Sequence, residues 1–224
     1  MNTGLLLSQV ADEEAPNAVL GVLTGPTFAA EIASGLPSAV TIAARDKETA
    51  ERLRGLVAAK TLRPYLTDDL LGAQIGGAVK NVIAIASGIV GGRKLGDSAR
   101  AALITRGLAE MGRLASAMGA KRETLMGLCG VGDLVLTCSS MQSRNYSLGV
   151  QLGQGRALAE VLGERSSVTE GVYTAAALKT MAKKHAVDMP ICEGVNVFLN
   201  EGGGIDEVIE SILDRPLKPR AETH

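Results

Sequence analysis

The spacing of apolar and polar positions changes once along the 224-residue chain, close to residue 67. Ahead of that point the apolar runs are short. Residues 18–23, 38–44 and 62–66 each stop at turn-forming residues and read as strands. Pro64 places the third at a sheet edge. A helix is expected from Pro26 through Phe28, Ala29, Glu31 and Ile32 to Gly35. A second is opened by Asp46 as N-cap and runs to about Lys60. This strand–helix–strand–helix–strand order is the rhythm of a parallel α/β sheet. After Thr67 the rhythm becomes helical almost throughout. Asp68 starts a long helix over 68–91 whose apolar positions cover most of its circumference. Residues 98–118 are amphipathic, 122–128 form a short turn of helix, and 145–153, 169–185, 190–200 and 205–213 are further helices. Asp97 and Asp206 read as caps, and the stretch from Asp214 to His224 reads as a frayed end. Residues 1–17 show little pattern. The expected division is an α/β part over 1–67 and an all-helical part over 68–224.

Composition narrows the partners. Apolar residues make up 46% but aromatics only 2%, so the core must be aliphatic, with Ala and Gly letting helices pack closely. A net charge of -1 argues against nucleic acid as a main partner. Cys129, Cys138 and Cys192 are odd in number and lack metal-ligand spacing, so they read as reduced thiols in a cytoplasmic protein with no metal site. Met1-Asn2-Thr3-Gly4 carries no basic segment and Leu5-Leu6-Leu7 is too short for a secretory leader. Gln74, Lys80 and Asn81 interrupt the long apolar run, which argues against a transmembrane segment.

Four stretches carry candidate chemistry. In Gly76-Gly77-Ala78-Val79-Lys80-Asn81-Val82 a lysine and an amide sit inside the long helix. A buried lysine must lower its pKa or find a partner, and a lysine so tuned can exchange a proton near neutral pH. The alternative is a buried stem with a solvated head. In Gly127-Leu128-Cys129-Gly130-Val131-Gly132-Asp133 three glycines precede an aspartate entering an apolar segment. Asp133 either pairs with a cation, for which Lys80 is available, or caps a helix over 134–140. Ser143-Arg144-Asn145 opens a helix with an arginine beside its N-terminus, a combination that favours phosphate, or else an ordinary cap with a solvated arginine. Ser167-Val168-Thr169-Glu170-Gly171 opens another helix, for which capping suffices.

Taken together, Gly25-Pro26-Thr27-Phe28-Ala29, Gly76-Gly77-Ala78-Val79-Lys80-Asn81-Val82, Ala102-Leu103-Ile104-Thr105-Arg106-Gly107-Leu108-Ala109-Glu110-Met111, Gly132-Asp133-Leu134-Val135-Leu136-Thr137-Cys138, Gln142-Ser143-Arg144-Asn145 and Val168-Thr169-Glu170-Gly171 resemble the bacterial NAD(P)-dependent glycerol-3-phosphate dehydrogenases in order and spacing, from about Leu5 to Leu213. The resemblance implies that 1–67 is the C-terminal part of a Rossmann-type parallel sheet and 68–224 the helical substrate and catalytic domain. It implies hydride transfer between NAD or NADP and dihydroxyacetone phosphate or sn-glycerol 3-phosphate, in the service of glycerophospholipid synthesis. Lys80 matches the family's catalytic acid/base. Gly25, Thr27, Lys80, Asn81, Asp133, Ser143, Arg144 and Asn145 match substrate contacts, and Ala29, Arg144, Val168 and Glu170 match cofactor contacts. The family's Gly-rich turn for the cofactor pyrophosphate, and a second substrate lysine upstream of Leu5, have no counterpart in this chain. A non-catalytic helical module that dimerises or binds a phosphate is the competing expectation, and a homodimer stays open under either.

Overall fold

A computed structural model describes residues 4–213, with the side chains of the last two left aside. The leader reading at Met1–Thr3 and the expected frayed end from 214 lie outside these residues.

The sheet has three strands in the order β1 (Gly21–Thr24), β2 (Ser38–Ala44), β3 (Leu62–Thr67). β2 and β3 are parallel, with Ser38 opposite Leu62 and Ala43 opposite Thr67. β1 runs antiparallel to β2, with Gly21 opposite Ala44. The sheet is therefore mixed, which corrects the expectation of a purely parallel one. The reason lies in the crossovers. α3 (Lys47–Val57) is long enough to carry the chain back along the strand it leaves. α2 (Ala29–Ala33) is too short, since five residues rise only about 7.5 Å. The helix expected to open at Pro26 starts at Ala29 instead, because the Thr27 N–H first closes a tight turn onto Gly25 O at 2.8 Å. Asp46 caps α3 as expected, accepting from Thr49 N at 2.8 Å.

α4 (Leu70–Gly92) is the axis of the molecule, and most of its 23 residues are buried. It is long and apolar enough to cross a bilayer by composition alone, but here other elements cover it. Its cap is Asp69, accepting from Gly72 N at 2.8 Å, while the expected starter Asp68 pairs with Lys121. Around α4 lie α5 (Asp97–Met118), α6 (Arg122–Leu125), α7 (Asp133–Ser139), α8 (Arg144–Gly153), α10 (Glu170–Lys184) and α11 (Pro190–Asn200). Asp97 and Asp206 are not caps: each lies inside its helix and pairs with an arginine, Arg100 and Arg93. α12 (Ile205–Leu213) packs on α11. Two helices carried no clear sequence pattern. α1 (Leu7–Glu14) is pinned to α4 by paired bonds between Ser8 and Gln74, and α9 (Leu158–Gly163) is braced by Arg156 on Glu160 and Glu164.

α4 and α8 cross at backbone contact. A Cβ on Gly149 would lie 2.1 Å from Ile85 O, and one on Gly88 would lie 2.2 Å from Tyr146 O. Gly92 and Gly153 repeat this one turn later, so the helices meet along a seam of glycines. The first turn of α8 is thereby held beside Lys80 and Asn81. Ile83, Ile85, Met111, Leu114, Leu134 and Leu148 fill the surrounding aliphatic core. A smaller apolar joint of Ala43, Leu70, Ala73 and Cys129, with Val22 against it, connects the sheet to α4.

The sheet is the less protected part. Val19 and Leu23 are 72% and 53% exposed, and β1 and β3 present open edges among the described residues. Limited proteolysis of the 224-residue chain is therefore expected to cut first between Met1 and Thr67 and to leave a resistant helical fragment. First cuts within 98–200, with the N-terminal segment intact, would contradict this two-part stability.

Candidate active site

Lys80 sits midway along α4, and its side chain is 19% exposed. Asp133 is 1% exposed. The chain reaches it through a π-helical turn, Leu128–Gly132, which packs on α4 and on β2 before α7 begins. That turn aims the Asp133 carboxylate back at α4. Lys80 Nζ donates to Asp133 Oδ2 at 2.5 Å. Asp133 is not a helix cap; its other oxygen accepts from Thr137 Oγ1 at 3.2 Å, and Thr24 Oγ1 approaches Oδ2 at 3.5 Å. Burial pushes the Asp133 carboxyl up; the Lys80 ammonium, the Thr137 hydroxyl and the Gly25 N–H pull it back only in part. The glycine at position 25 is required on two counts. Its φ is 142°, and a Cβ there would press on the β2 backbone, 3.1 Å from Val40 Cα.

Next to Lys80, Asn81 opens a second group of polar side chains. Asn81 Oδ1 accepts from Asn145 Nδ2 at 3.0 Å, and Asn145 Oδ1 accepts from Gly171 N at 2.9 Å. Asn81 Nδ2 donates to Gly77 O at 3.3 Å and to Glu170 Oε2 at 3.2 Å. Both amides are 7% exposed, so a buried relay ties the middle of α4 to the first turns of α8 and α10. Ser143 is buried and caps α8, accepting from Tyr146 N at 3.2 Å. Arg144 projects outward, half exposed, with Nη2 3.7 Å from Glu170 Oε1.

The structure thus gathers Gly25, Lys80 and Asp133 into one cluster and Asn81, Asn145, Arg144 and Glu170 into an adjoining one. Thr27 is half-buried in the turn after β1, Ala29 is exposed at the start of α2, and Val168 is 61% exposed; among the described residues no hydrogen bond or ion pair ties their side chains to either cluster. Gln142, directly ahead of Ser143, reaches α2 through Nε2 to Glu31 Oε1 at 2.8 Å. Sequence reading passed over Thr24 and Thr137. Thr137 was within reach of it, four residues after Asp133 on one helix face; Thr24 carried no such signal.

The family comparisons bear on the same residues. The family model for the C-terminus of NAD-dependent glycerol-3-phosphate dehydrogenase matches residues 69–210. The chain belongs to the NAD-dependent glycerol-3-phosphate dehydrogenase family. The model for the N-terminus of that family matches residues 1–50. A relative from Parvibaculum lavamentivorans, named glycerol-3-phosphate dehydrogenase (NAD(P)+), is 54% identical over 99% of this chain and 66% of its own length. One of the same name from Rhodospirillum rubrum is 55% identical over 96% of this chain and 62% of its own. The chain thus spans about two thirds of the length of these curated relatives. The crystal structure of glycerol-3-phosphate dehydrogenase from Coxiella burnetii superposes with a TM-score of 0.91 at 42% identity, over 95% of this chain and 65% of that one. The family's solved structures share the sheet-plus-helices arrangement, and glycerol-3-phosphate dehydrogenase from Saccharomyces cerevisiae still gives a TM-score of 0.80 at 25% identity.

The residues present fit a dinucleotide on one side only. Arg144 and Glu170 stand together as an exposed cation and carboxylate, Glu170 bonded to Asn81, and Val168 is an exposed apolar residue two positions ahead of Glu170. No Gly-rich strand-to-helix turn of the pyrophosphate-cradling kind occurs among the described residues.

Proposed function

We propose that the chain supplies the substrate and proton-transfer machinery of an NAD(P)-dependent glycerol-3-phosphate dehydrogenase, in a cytoplasmic protein. The observation that carries this reading is the short Lys80–Asp133 pair beside the Asn81–Asn145 relay. A partly buried ammonium held by a buried carboxylate is a positioned proton donor, and the adjoining helix start with its outward arginine suits a phosphate. Dihydroxyacetone phosphate would place its phosphate toward Arg144 and the start of α8, and its C2 carbonyl toward Lys80. A nicotinamide cofactor, NADH or NADPH, would supply hydride for C2 when bound. Lys80 gives a proton to the developing alkoxide oxygen, which becomes the C2 hydroxyl of sn-glycerol 3-phosphate. Asp133 holds Nζ at that point and compensates its charge before the proton leaves. Thr137 and Thr24 hold Asp133. Asn81 and Asn145 fix the first turn of α8 against α4, so that the phosphate end of the site keeps its distance from Lys80. Ser143 contributes through the cap that orders this turn. Gly25 and Thr27 would close the site from the sheet side, and Ala29, Arg144, Val168 and Glu170 would meet the cofactor. The buried free thiols suit a reducing compartment, and burial pushes the Cys138 thiol up to about 12, so it stays protonated.

In a version of the protein carrying a complete cofactor-binding half, Arg144→Ala should raise the KM for dihydroxyacetone phosphate by about tenfold or more, the worth of one charged hydrogen bond. The slow reaction with unphosphorylated dihydroxyacetone should hardly change. Equal losses on both substrates would show that Arg144 does not serve the phosphate. Titration of nicotinamide fluorescence with the 224-residue chain separates the competing module reading, which gains if neither NADH nor NADPH binds saturably.

A further inference from the structure

Glu170 opens α10, yet its carboxylate is not spent on that helix. The N-cap of α10 is Thr169, without a side-chain cap bond, and Gly171 N is satisfied by Asn145 Oδ1. Instead Oε2 accepts from Asn81 Nδ2 at 3.2 Å and Oε1 lies 3.7 Å from Arg144 Nη2. One anionic group therefore bridges α4 and α8, at the place where the reading above puts a substrate phosphate.

The charges around that place are uneven. Lys80 is matched by Asp133. Arg165 lies near Arg144; burial first and that neighbouring charge second pull its pKa down, and no carboxylate pairs with it among the described residues. The Arg165 Nη donors are committed to Arg144 O at 2.8 Å and to Ser147 Oγ at 3.2 Å. Nη1 also reaches Thr169 Oγ1 at 3.5 Å, while Nε is buried with no hydrogen-bond partner among the described residues. Two guanidiniums and one carboxylate thus lie around the first turn of α8, the carboxylate against Arg144 alone. A phosphate monoester dianion would balance the two guanidiniums, but the Glu170 carboxylate occupies its hydrogen-bonding position and repels it. The Arg144–Glu170 contact is long, with side chains 50% and 62% exposed, so water screens it and the carboxylate can leave at little cost.

We propose that Glu170 is a charge gate on the phosphate subsite: its carboxylate holds the position between Asn81 and Arg144 and gives it up when a phosphate monoester binds. The proposal deepens the dehydrogenase reading, rests on its assignment of Arg144 to the phosphate, and gives Glu170 a role on the substrate side in addition to the cofactor contact proposed for it above. It makes Glu170 a specificity residue, which sets how strongly charged an anion must be to enter.

The test is a titration of inorganic phosphate, and separately of sn-glycerol 3-phosphate, into the 224-residue chain and its Glu170→Gln variant, followed by calorimetry or by NMR shifts. Glutamine keeps the shape and an acceptor for Asn81 while removing the charge. Phosphate should bind the variant more tightly by about fivefold, the scale of one exposed ion pair. Arg144→Gln in the Glu170→Gln background should abolish the gain. A residue with a merely structural role would give weaker binding on substitution. Unchanged or weaker binding to Glu170→Gln, with the parent chain binding phosphate, overturns the gate and leaves the phosphate site standing. No binding to either chain removes the phosphate site and the gate with it.

Discussion

Lys80→Ala, made in a version of the protein with a complete cofactor-binding half, is expected to lose about 100- to 10,000-fold in kcat while cofactor affinity stays nearly intact. Lys80 Nζ is held by Asp133 Oδ2 at 2.5 Å, and the remaining exposure of its side chain is 19%, enough to meet a substrate oxygen. Among the described residues Lys80 is the cation that the Asp133 carboxylate pairs with, so alanine leaves no proton donor at that point. Lys80→Arg should not restore turnover, because a guanidinium does not give up a proton near neutral pH. The variant also leaves a buried carboxylate uncompensated, and this has a pH signature. The Asp133 pKa, already raised by burial, would rise further without the ammonium. A carboxyl whose folded pKa lies above its unfolded value costs stability as pH climbs from the unfolded value through the folded one. Lys80→Ala should therefore melt closer to the parent in acid than at neutral pH. A kcat within a few-fold of the parent, in a folded variant, would remove Lys80 from the chemistry.

Gly149→Ala should cost about 3 kcal/mol or more of stability, the upper part of the range for overpacking a core. The added methyl would sit 2.1 Å from Ile85 O and 2.9 Å from Gly88 Cα, and both are backbone atoms that cannot rotate away. α8 can accept the methyl only by moving off α4, and that movement would stretch the Asn81–Asn145 bond of 3.0 Å. Thermal melting should show a drop of roughly 6–12 °C. Gly112→Ala is the matching control. It lies inside α5, and a Cβ there would have nothing within 4 Å, so replacing a flexible residue in a helix should gain up to about 1 kcal/mol. If both alanines shift the melting temperature alike, the close crossing is not what holds these helices.

Much of the architecture was legible before any coordinates. The 68–91 run emerged as α4 within two residues at its start and one at its end, because a long apolar stretch with helical spacing has few other solutions. A buried carboxylate at Asp133 needs a partner, Lys80 was the available cation, and the pair exists. α1 and α9 were illegible because they are short, with no residue of α1 and only Val161 of α9 buried, so neither carries an apolar stripe of useful length. The antiparallel β1 was misread because strand periodicity is the same in either direction. The Asn81–Asn145–Gly171 relay escaped because nothing in a polar residue states which distant backbone or amide it will meet.

The sequence alone determined that this protein has an aliphatic, helix-dominated core, a short sheet ahead of it, and a lysine, an aspartate and a Ser-Arg-Asn helix start as its candidate polar chemistry. These follow from local physics: side-chain periodicity, turn chemistry and the cost of burying charge. Only the tertiary structure decided the partners. The backbone contact of α4 with α8 places Asn145 on Asn81, the π-helical turn swings Asp133 onto Lys80, and the start of α10 brings Glu170 to Arg144. Each of those groups must be satisfied somewhere, but the distances that select one partner over another depend on how closely three helices approach, which no single stretch of chain encodes.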